Sequence, residues 1–168
     1  FWYEKDNPRL GAQKALLLTM GGGFCILAAI LLMQNVAGSL NIDDLLAASD
    51  VLHASPLYPI IVVLLLIGAF VKSAQVPLHI WLPTAMEAPT PISCYLHSAT
   101  MVKAGIYLIA RMTPILGGTI LWGGIITVVG LTSLTFGSLM AIRQFDMKGI
   151  LAYSTISQLG LIISLFGF

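Results

Sequence analysis

Long stretches without a charged side chain alternate with short polar segments along this chain. Three charge-free runs cover residues 15–42, 51–71 and 112–142. Each reaches or exceeds the ~20 residues that cross a hydrocarbon core as a helix. The pattern predicts an all-α, polytopic transmembrane helix bundle rather than a soluble domain.

We expect the chain to form part of one transmembrane domain with about five spans, at residues 15–36, 56–86, 92–111, 117–142 and 149–168. The second span is predicted to be a discontinuous helix, broken near residues 73–77. Pro77 removes a backbone donor there, and a membrane tolerates irregular backbone only where protein or water covers it. Residues 1–14 are predicted to be an interfacial aromatic belt followed by a basic loop, and residues 38–55 a short acidic connection.

Composition agrees with a membrane origin and narrows the function classes. Of the 168 residues, 58% are hydrophobic and 9% are charged, against about one quarter charged in soluble domains. The net charge of +1, with scattered basic residues, gives no indication of a nucleic-acid partner. Cys25 and Cys94 lack metal-like spacing, and we find no flavin, quinone, iron–sulfur or phosphate-loop motif. We therefore expect no cofactor, no metal and no enzymatic reaction.

The ends of the sequence suggest a piece of a longer protein. The first residue is Phe1 rather than Met, and the last eight residues, LIISLFGF, contain no helix stop signal. We expect further transmembrane helices on both sides of this chain.

Two lysines, Lys72 and Lys103, stand at predicted membrane depth. A lysine there costs roughly 2.5–3.5 kcal/mol on insertion scales, so it indicates an ion or proton pathway. Desolvation lowers the pKa of a buried lysine, which can then exchange a proton near neutral pH, and two interacting lysines form a relay. The alternative is a lysine that extends toward the headgroups, which would explain Lys72 but no second buried lysine.

Several side chains around Lys103 could assist a relay. Thr100 and Tyr107 each lie one helical turn from Lys103. His97 is six residues from Lys103 and faces another way, so a link between them needs a water, a hydroxyl or another helix. Histidine titrates near neutral pH, which suits a relay, but a lone helical histidine is equally well a packing residue.

Lys148 begins the last span and shares a helix face with Thr155. From the physics alone, Lys148 is better explained as a basic anchor at the membrane surface than as a pathway residue. The orientation follows from the larger group of basic residues: Lys5, Arg9, Lys14, Arg143 and Lys148. The side that carries Phe1 and the EAPTP turn, residues 87–91, is therefore predicted to be cytoplasmic.

Two long motifs carry a family resemblance. KSAQVPLHIWLPTAMEAPTPISCYLHSATMVKAGIYLIAR and DMKGILAYSTISQLG resemble the antiporter-type membrane subunits shared by Mrp cation/proton antiporters and respiratory complex I. The resemblance implies a bundle with one broken helix. It also implies that Lys72, Lys103 and His97 lie on a proton pathway, and that Lys148, the lysine of the later helix, belongs to the same pathway.

The combination of Glu87 with Lys103 is more similar to the large A-type subunit of Mrp antiporters. The corresponding complex I subunits tend to have glycine at the position of Glu87 and often lack a lysine at the position of Lys103. We expect a proton-translocating subunit of a multicomponent Na⁺ or K⁺/proton antiporter in the cell (inner) membrane. The implied partners are the lipid bilayer, the other subunits of the complex, protons and a monovalent cation.

Two other functions stay open. The chain could be a proton-pumping membrane subunit of a complex I-type NADH:quinone oxidoreductase or a related hydrogenase, or a non-transporting scaffold whose lysines anchor lipid headgroups. Asp43, Asp44 and Asp50 are candidate cation ligands outside the helices, although paired aspartates more commonly occupy solvated turns.

Overall fold

The computed structural model describes residues 4–86, 88–94 and 101–167, and these residues fold into α-helices without any β-strand. The predicted all-α class is therefore confirmed. In chain order the helices are α1 (Asp6–Ala37), α2 (Ile42–Ala47), α3 (Ser49–Ala54), α4 (Tyr58–Lys72), α5 (Trp81–Ala85), α6 (Thr90–Cys94), α7 (Met101–Leu116), α8 (Ile120–Ile142) and α9 (Met147–Leu165).

The helices run between two ends of the bundle. One end, which we name the basic end, comprises residues 5–9, the end of α5 and the loop between α8 and α9. The start of α9 and the turn after α5 are joined there by a hydrogen bond of 3.0 Å from Lys148 Nζ to the Ala88 carbonyl oxygen. At the opposite end, the Tyr58 hydroxyl donates to the Leu116 carbonyl oxygen at 2.6 Å, next to α2 and α3.

This arrangement gathers charges that are far apart in sequence. Lys5, Arg9, Arg143 and Lys148 lie at the basic end, whereas Arg111 lies in the last part of α7, toward the opposite end. The grouping is the one on which the orientation was predicted. That the basic end faces the cytoplasm stays a prediction.

Within the part of the chain that the structure describes, three helices, α1, α8 and α9, are long and apolar enough to cross a membrane. The shorter α4 is also apolar, and it is followed by an irregular segment and then by α5. The predicted discontinuous helix is therefore confirmed, and the chain has the architecture of a multi-pass membrane protein. In addition, α7 continues past Arg111, where the third span was predicted to end, and reaches Leu116.

The start of α1 differs from the prediction. A basic loop was expected up to residue 14, but the helix begins at Asp6. Pro8 lies in the first turn, where its missing N–H has no intrahelical partner to lose. Asp6 also accepts a hydrogen bond of 3.0 Å from the Arg9 guanidinium, and an acidic residue in the first turn is favourable to the helix dipole.

Close packing of α1 on α4 depends on one glycine of the GGG run at residues 21–23. A Cβ on Gly22 would lie 2.7 Å from Val71 Cβ, whereas Gly21 and Gly23 have nothing within 4 Å. Gly22 therefore allows α1 and α4 to approach closely. Around it, α4 buries Ile61, Leu65 and Ala69 completely, which places this helix at the centre of the core.

The acidic connection forms α2 and α3 rather than an open loop. Asp44 accepts hydrogen bonds from the Ser39 hydroxyl at 2.6 Å and from the Asn41 amide at 3.2 Å. These bonds hold the pKa of the Asp44 carboxyl below its ordinary value. In the described ranges no group of three or more histidine, cysteine or acidic side chains is placed to hold a metal ion.

Candidate functional site

The interruption between α4 and α5 is the most irregular segment of the bundle interior. The helix ends at Lys72 and resumes only at Trp81. Ala74 adopts a left-handed conformation, with φ of 51°. The Gln75 amide then turns back to donate to the Phe70 carbonyl oxygen at 2.9 Å. This geometry satisfies part of the unwound backbone inside the protein, as a membrane interior requires.

Two side chains from elsewhere in the chain hold the interruption in place. The Trp81 indole N–H donates to the Val71 carbonyl oxygen at 2.8 Å, which satisfies one carbonyl at the end of α4. The Ser133 hydroxyl of α8 accepts a hydrogen bond of 2.9 Å from the Val76 amide and donates to the Val129 carbonyl oxygen at 2.7 Å. Ser133 is fully buried, so α8 is part of the site.

We predict that Ser133→Ala destabilises the interruption by about 1–3 kcal/mol, because the Val76 amide then loses its only hydrogen-bond acceptor among the described residues. Amide exchange of residues 74–80 and the thermal unfolding midpoint of the full-length protein in its complex measure this. Thr132→Ala is the matched control, since Thr132 is exposed and bonds only its own helix among the described contacts. Equal exchange in both variants contradicts the prediction.

Helix α7 approaches the interruption through Gly105. A Cβ there would meet the Ala69 carbonyl oxygen and would lie 2.9 Å from the Ser73 amide nitrogen. Lys103 is two positions earlier, about 200° around the helix, and its side chain is exposed on the outer face of α7. The contact with α4 therefore uses the face of α7 opposite to Lys103.

The two predicted relay lysines occupy different environments. Lys72 is half-buried at the last position of α4, directly beside the irregular segment. No hydrogen bond or ion pair joins Lys72 to Lys103 within the described ranges, where the single ion pair is Arg9–Asp6. Lys103 lies on the face of α7 opposite to the contact with α4, and an interaction between the two amines stays a prediction.

The remaining predicted residues divide into three groups. Pro77 follows a cis peptide bond inside the irregular segment, as expected for the helix break, and its ring is exposed. Tyr107 is 71% exposed on the same outer face as Lys103, and the Thr155 hydroxyl donates to the Leu151 carbonyl oxygen at 2.8 Å. His97, Glu87 and Thr100 lie outside the described residues.

Two polar residues of the interruption were missed by the sequence reasoning. Gln75 is fully buried, and its side-chain oxygen has no hydrogen-bond partner among the described residues. The Nδ1 atom of His79 is buried and unpartnered in the same way. The His79 ring packs against Phe136 at 4.9 Å and Tyr153 at 6.3 Å between ring centroids. Both residues could have been identified from their positions in SAQVPLH, the polar segment that follows Lys72. Only the lysine and the prolines of this region were considered.

A cavity of about 310 Å³ lies at the basic end and brings Lys148 into the site. Tyr153 lines the cavity and also packs near the His79 ring, so polar side chains extend from the basic end toward the interruption. The lining residues are Pro83, Met86, Gln144, Asp146, Lys148, Gly149 and Tyr153.

Comparison with known proteins gives consistent matches. The family model for the transmembrane segment of NADH:quinone oxidoreductases and Mrp antiporters matches residues 1–168. The A-type Na⁺/H⁺ antiporter subunits of Alkalihalophilus pseudofirmus and Bacillus subtilis are 50% and 48% identical to this chain, in both cases over 99% of this chain and 21% of the relative. The Mrp complex from a Dietzia species superimposes with a TM-score of 0.91 at 41% identity, over 97% of this chain and 18% of that chain. This chain thus spans about a fifth of the length of these relatives.

Proposed function

Because this chain belongs to the family of NADH:quinone oxidoreductase and Mrp antiporter transmembrane segments, we propose that it is part of a proton-translocating subunit of a multicomponent monovalent cation/proton antiporter. The proposal makes the protein a transporter component rather than an enzyme. The relatives that cover this chain are named as Na⁺/H⁺ antiporter subunits, which supports Na⁺ as the exchanged cation, with K⁺ as the other candidate.

The observation that carries the proposal is the position of Lys72. Its half-buried side chain stands where an apolar helix stops, beside the unpartnered Gln75 oxygen and the unpartnered His79 nitrogen. A cation and unsatisfied polar atoms are costly in the middle of a membrane bundle, and such residues mark ion or proton pathways. A proton moving along this segment would find an amine, an imidazole and an amide oxygen within one short stretch.

Lys103 has a different role in the proposal. Lys103, Tyr107 and Arg111 are spaced by four residues and are exposed along one face of α7. Contact of the Lys103 and Arg111 cations with lipid would be energetically costly, so water or other helices of the full-length protein must cover this face. We place the continuation of the proton path there, with His97 as its link toward Lys72 and with Glu87, Thr100 and Thr155 as supporting groups.

The complete transport cycle requires protein outside this chain, since the relatives are about five times longer. The proposed partners are the other subunits of a hetero-oligomeric complex, the bilayer, protons and the monovalent cation, and no cofactor is part of the proposal. The location is the cell membrane, with the basic end toward the cytoplasm and Lys148 as the pathway lysine at that end.

Lysine replacement in the full-length complex tests the proposal. In reconstituted vesicles, Lys72→Met and Lys103→Met are expected to lower cation exchange driven by a pH gradient by about tenfold or more, because a positioned proton-transfer group is removed. Methionine keeps the length and apolar stem of the side chain. A fluorescent pH indicator inside the vesicles measures proton efflux after cation addition.

Lys14→Met is the matched control, because Lys14 is an exposed residue of α1 away from the interruption. Its exchange rate should equal that of the wild type, and all three variants should assemble to the same yield. Full exchange in the Lys72 and Lys103 variants would refute the proposal.

The second candidate function is a proton-pumping membrane subunit of a redox enzyme. The matched family model covers NADH:quinone oxidoreductases as well as antiporters, so the same helices suit either machine. Purification of the native complex separates them: peripheral subunits with iron–sulfur clusters support the pump. The position of Lys72 disfavours a scaffold that anchors headgroups. Lys72 is the last residue of α4, but this end of the helix adjoins the interruption and not the basic end or the opposite end of the bundle.

A further inference from the structure

The second half of the broken helix, α5, cannot hold its own position. It has five residues, and Pro83 in its interior supplies no backbone donor. Isolated helices shorter than about 12–15 residues are marginal even with good helix formers. The place of α5 in the bundle must therefore come from contacts with other elements.

Two such contacts fix the start and the middle of α5. The Trp81 indole binds the Val71 carbonyl oxygen at the end of α4. Helix α1 approaches the Thr84 backbone through Gly11, where an added Cβ would lie 2.9 Å from the Thr84 carbonyl oxygen. Apolar packing adds to these contacts, since Leu82 and Met86 are buried in one cluster with Ile156 of α9. Neither the indole hydrogen bond nor the Gly11 contact reaches the turn that follows α5.

The third contact is made by Lys148 in the first turn of α9. Its Nζ donates to the Met86 carbonyl oxygen at 3.3 Å and to the Ala88 carbonyl oxygen at 3.0 Å. Met86 is the C-terminal cap of α5, and carbonyl groups there have no intrahelical donors, so a lysine ammonium is a favourable partner. Ala88 lies in the following turn, where its carbonyl oxygen also accepts a hydrogen bond of 3.1 Å from the Ser93 hydroxyl. Hydrogen bonds with a charged donor are also stronger than neutral ones.

The location of this contact gives it a consequence for the site. Lys148 crosses from α9 to α5 beside the cavity of about 310 Å³ that Pro83, Met86 and Tyr153 also line. Trp81, at the other end of α5, follows directly on the segment that contains Gln75 and His79. Only the five residues of α5 separate its C-terminal end from the interruption. A displacement of that end is therefore expected to shift the interruption as well.

We propose that Lys148 is a positioning residue, whose ammonium ties the end of α5 to α9 and thereby fixes the geometry of the interruption and of the cavity at the basic end. The effect of this contact on transport rests on the proposed function. The contact's effect on the position of α5 can be measured separately. It assigns to Lys148 a mechanical role that neither a surface anchor nor a proton carrier needs.

Hydrogen–deuterium exchange of the full-length complex in lipid nanodiscs tests the inference. Lys148→Met should raise the exchange rate of the α5 amides and of the Met86 and Ala88 amides that follow α5 by about tenfold, since it removes both charge-assisted bonds. Lys148→Arg retains a permanent cation with several donors and should keep the exchange rate within about twofold of the wild type. The peptides of α8 and α9 report whether the bundle itself is intact.

Lys14→Met, which removes a lysine from α1 without removing a described contact of α5, should leave α5 exchange unchanged. If Lys148→Met does not assemble, Lys148→Gln takes its place, with an expected rise of several-fold because a neutral amide replaces the cation. Unchanged α5 exchange in Lys148→Met, or an equal rise in Lys148→Arg, overturns the inference. The proposed function is judged independently, since Lys72→Met should lose transport while α5 exchange stays at the wild-type rate.

Discussion

Gly105→Val is expected to force α7 away from the helix interruption and to abolish cation exchange by the full-length complex. The atoms that face Gly105 are the Ala69 carbonyl oxygen, the Ser73 amide nitrogen and the Ser73 Cβ. Two of them belong to the backbone of α4 and its C-terminal cap, so they cannot swing aside to admit a side chain. Overpacking of this kind costs about 1–3 kcal/mol and more where the neighbour is rigid.

The thermal unfolding midpoint of the purified complex and exchange in vesicles measure the effect. The matched control is Gly124→Val, because Gly124 is exposed on α8 and has nothing within 4 Å of an added Cβ. We expect the control to unfold within about 1 °C of the wild type, since surface substitutions seldom exceed about ±0.5 kcal/mol. Wild-type stability and exchange in Gly105→Val would show that α7 does not approach the interruption as described.

The position of the interruption could be predicted from the sequence because its cause is local. Pro77 and the polar residues that follow Lys72 stop an otherwise apolar helix wherever they occur. Its internal geometry could not be predicted in the same way. The Val76 amide is bound by Ser133, which lies 57 residues further along the chain. Hydrophobic periodicity identifies the buried face of a helix, but it does not identify the residue on the facing helix.

The candidate site was predicted in part for a related reason. Lys72 could be predicted as a site residue because a charged residue that follows a long apolar run is evident from the sequence alone. His79 was missed because its environment, between the rings of Phe136 and Tyr153, depends on how α8 and α9 pack against the irregular segment. The physics of the sequence alone favoured a surface anchor for Lys148, and the resemblance indicated a pathway lysine. Neither interpretation identified the carbonyl groups that Lys148 binds, because these become neighbours only when α9 packs beside α5.

Exposure of Lys103 adds a further physical point. The sequence places this lysine at membrane depth, and the described helices leave it on their outer face. Both statements hold together if the described helices form only part of the bundle, which agrees with relatives about five times longer. A relay that includes Lys103 therefore depends on helices that pack against the outer face of α7.

The largest loss of stability is expected from Gly160→Leu, at the contact between α8 and α9. A Cβ on Gly160 would lie 2.7 Å from both the Gly130 carbonyl oxygen and the Leu134 amide nitrogen, and 3.0 Å from Ser133 Cβ. The facing Gly130 is equally confined, with the Gly160 carbonyl oxygen 2.8 Å from its own added Cβ. The two backbones are thus in direct contact, as small residues allow in membrane helix pairs.

Leucine at this position must separate the helices, and the separation reaches the interruption because Ser133 lies in the contact and binds the Val76 amide. We expect a loss of more than about 3 kcal/mol and little or no assembled complex, measured by gel-filtration yield and thermal unfolding. Gly21→Leu is the matched control, since Gly21 is exposed on α1 with open space around it. A Gly160→Leu complex with wild-type yield and unfolding midpoint contradicts the direct backbone contact. Wild-type amide exchange at residues 74–80 would contradict the link between this helix pair and the site.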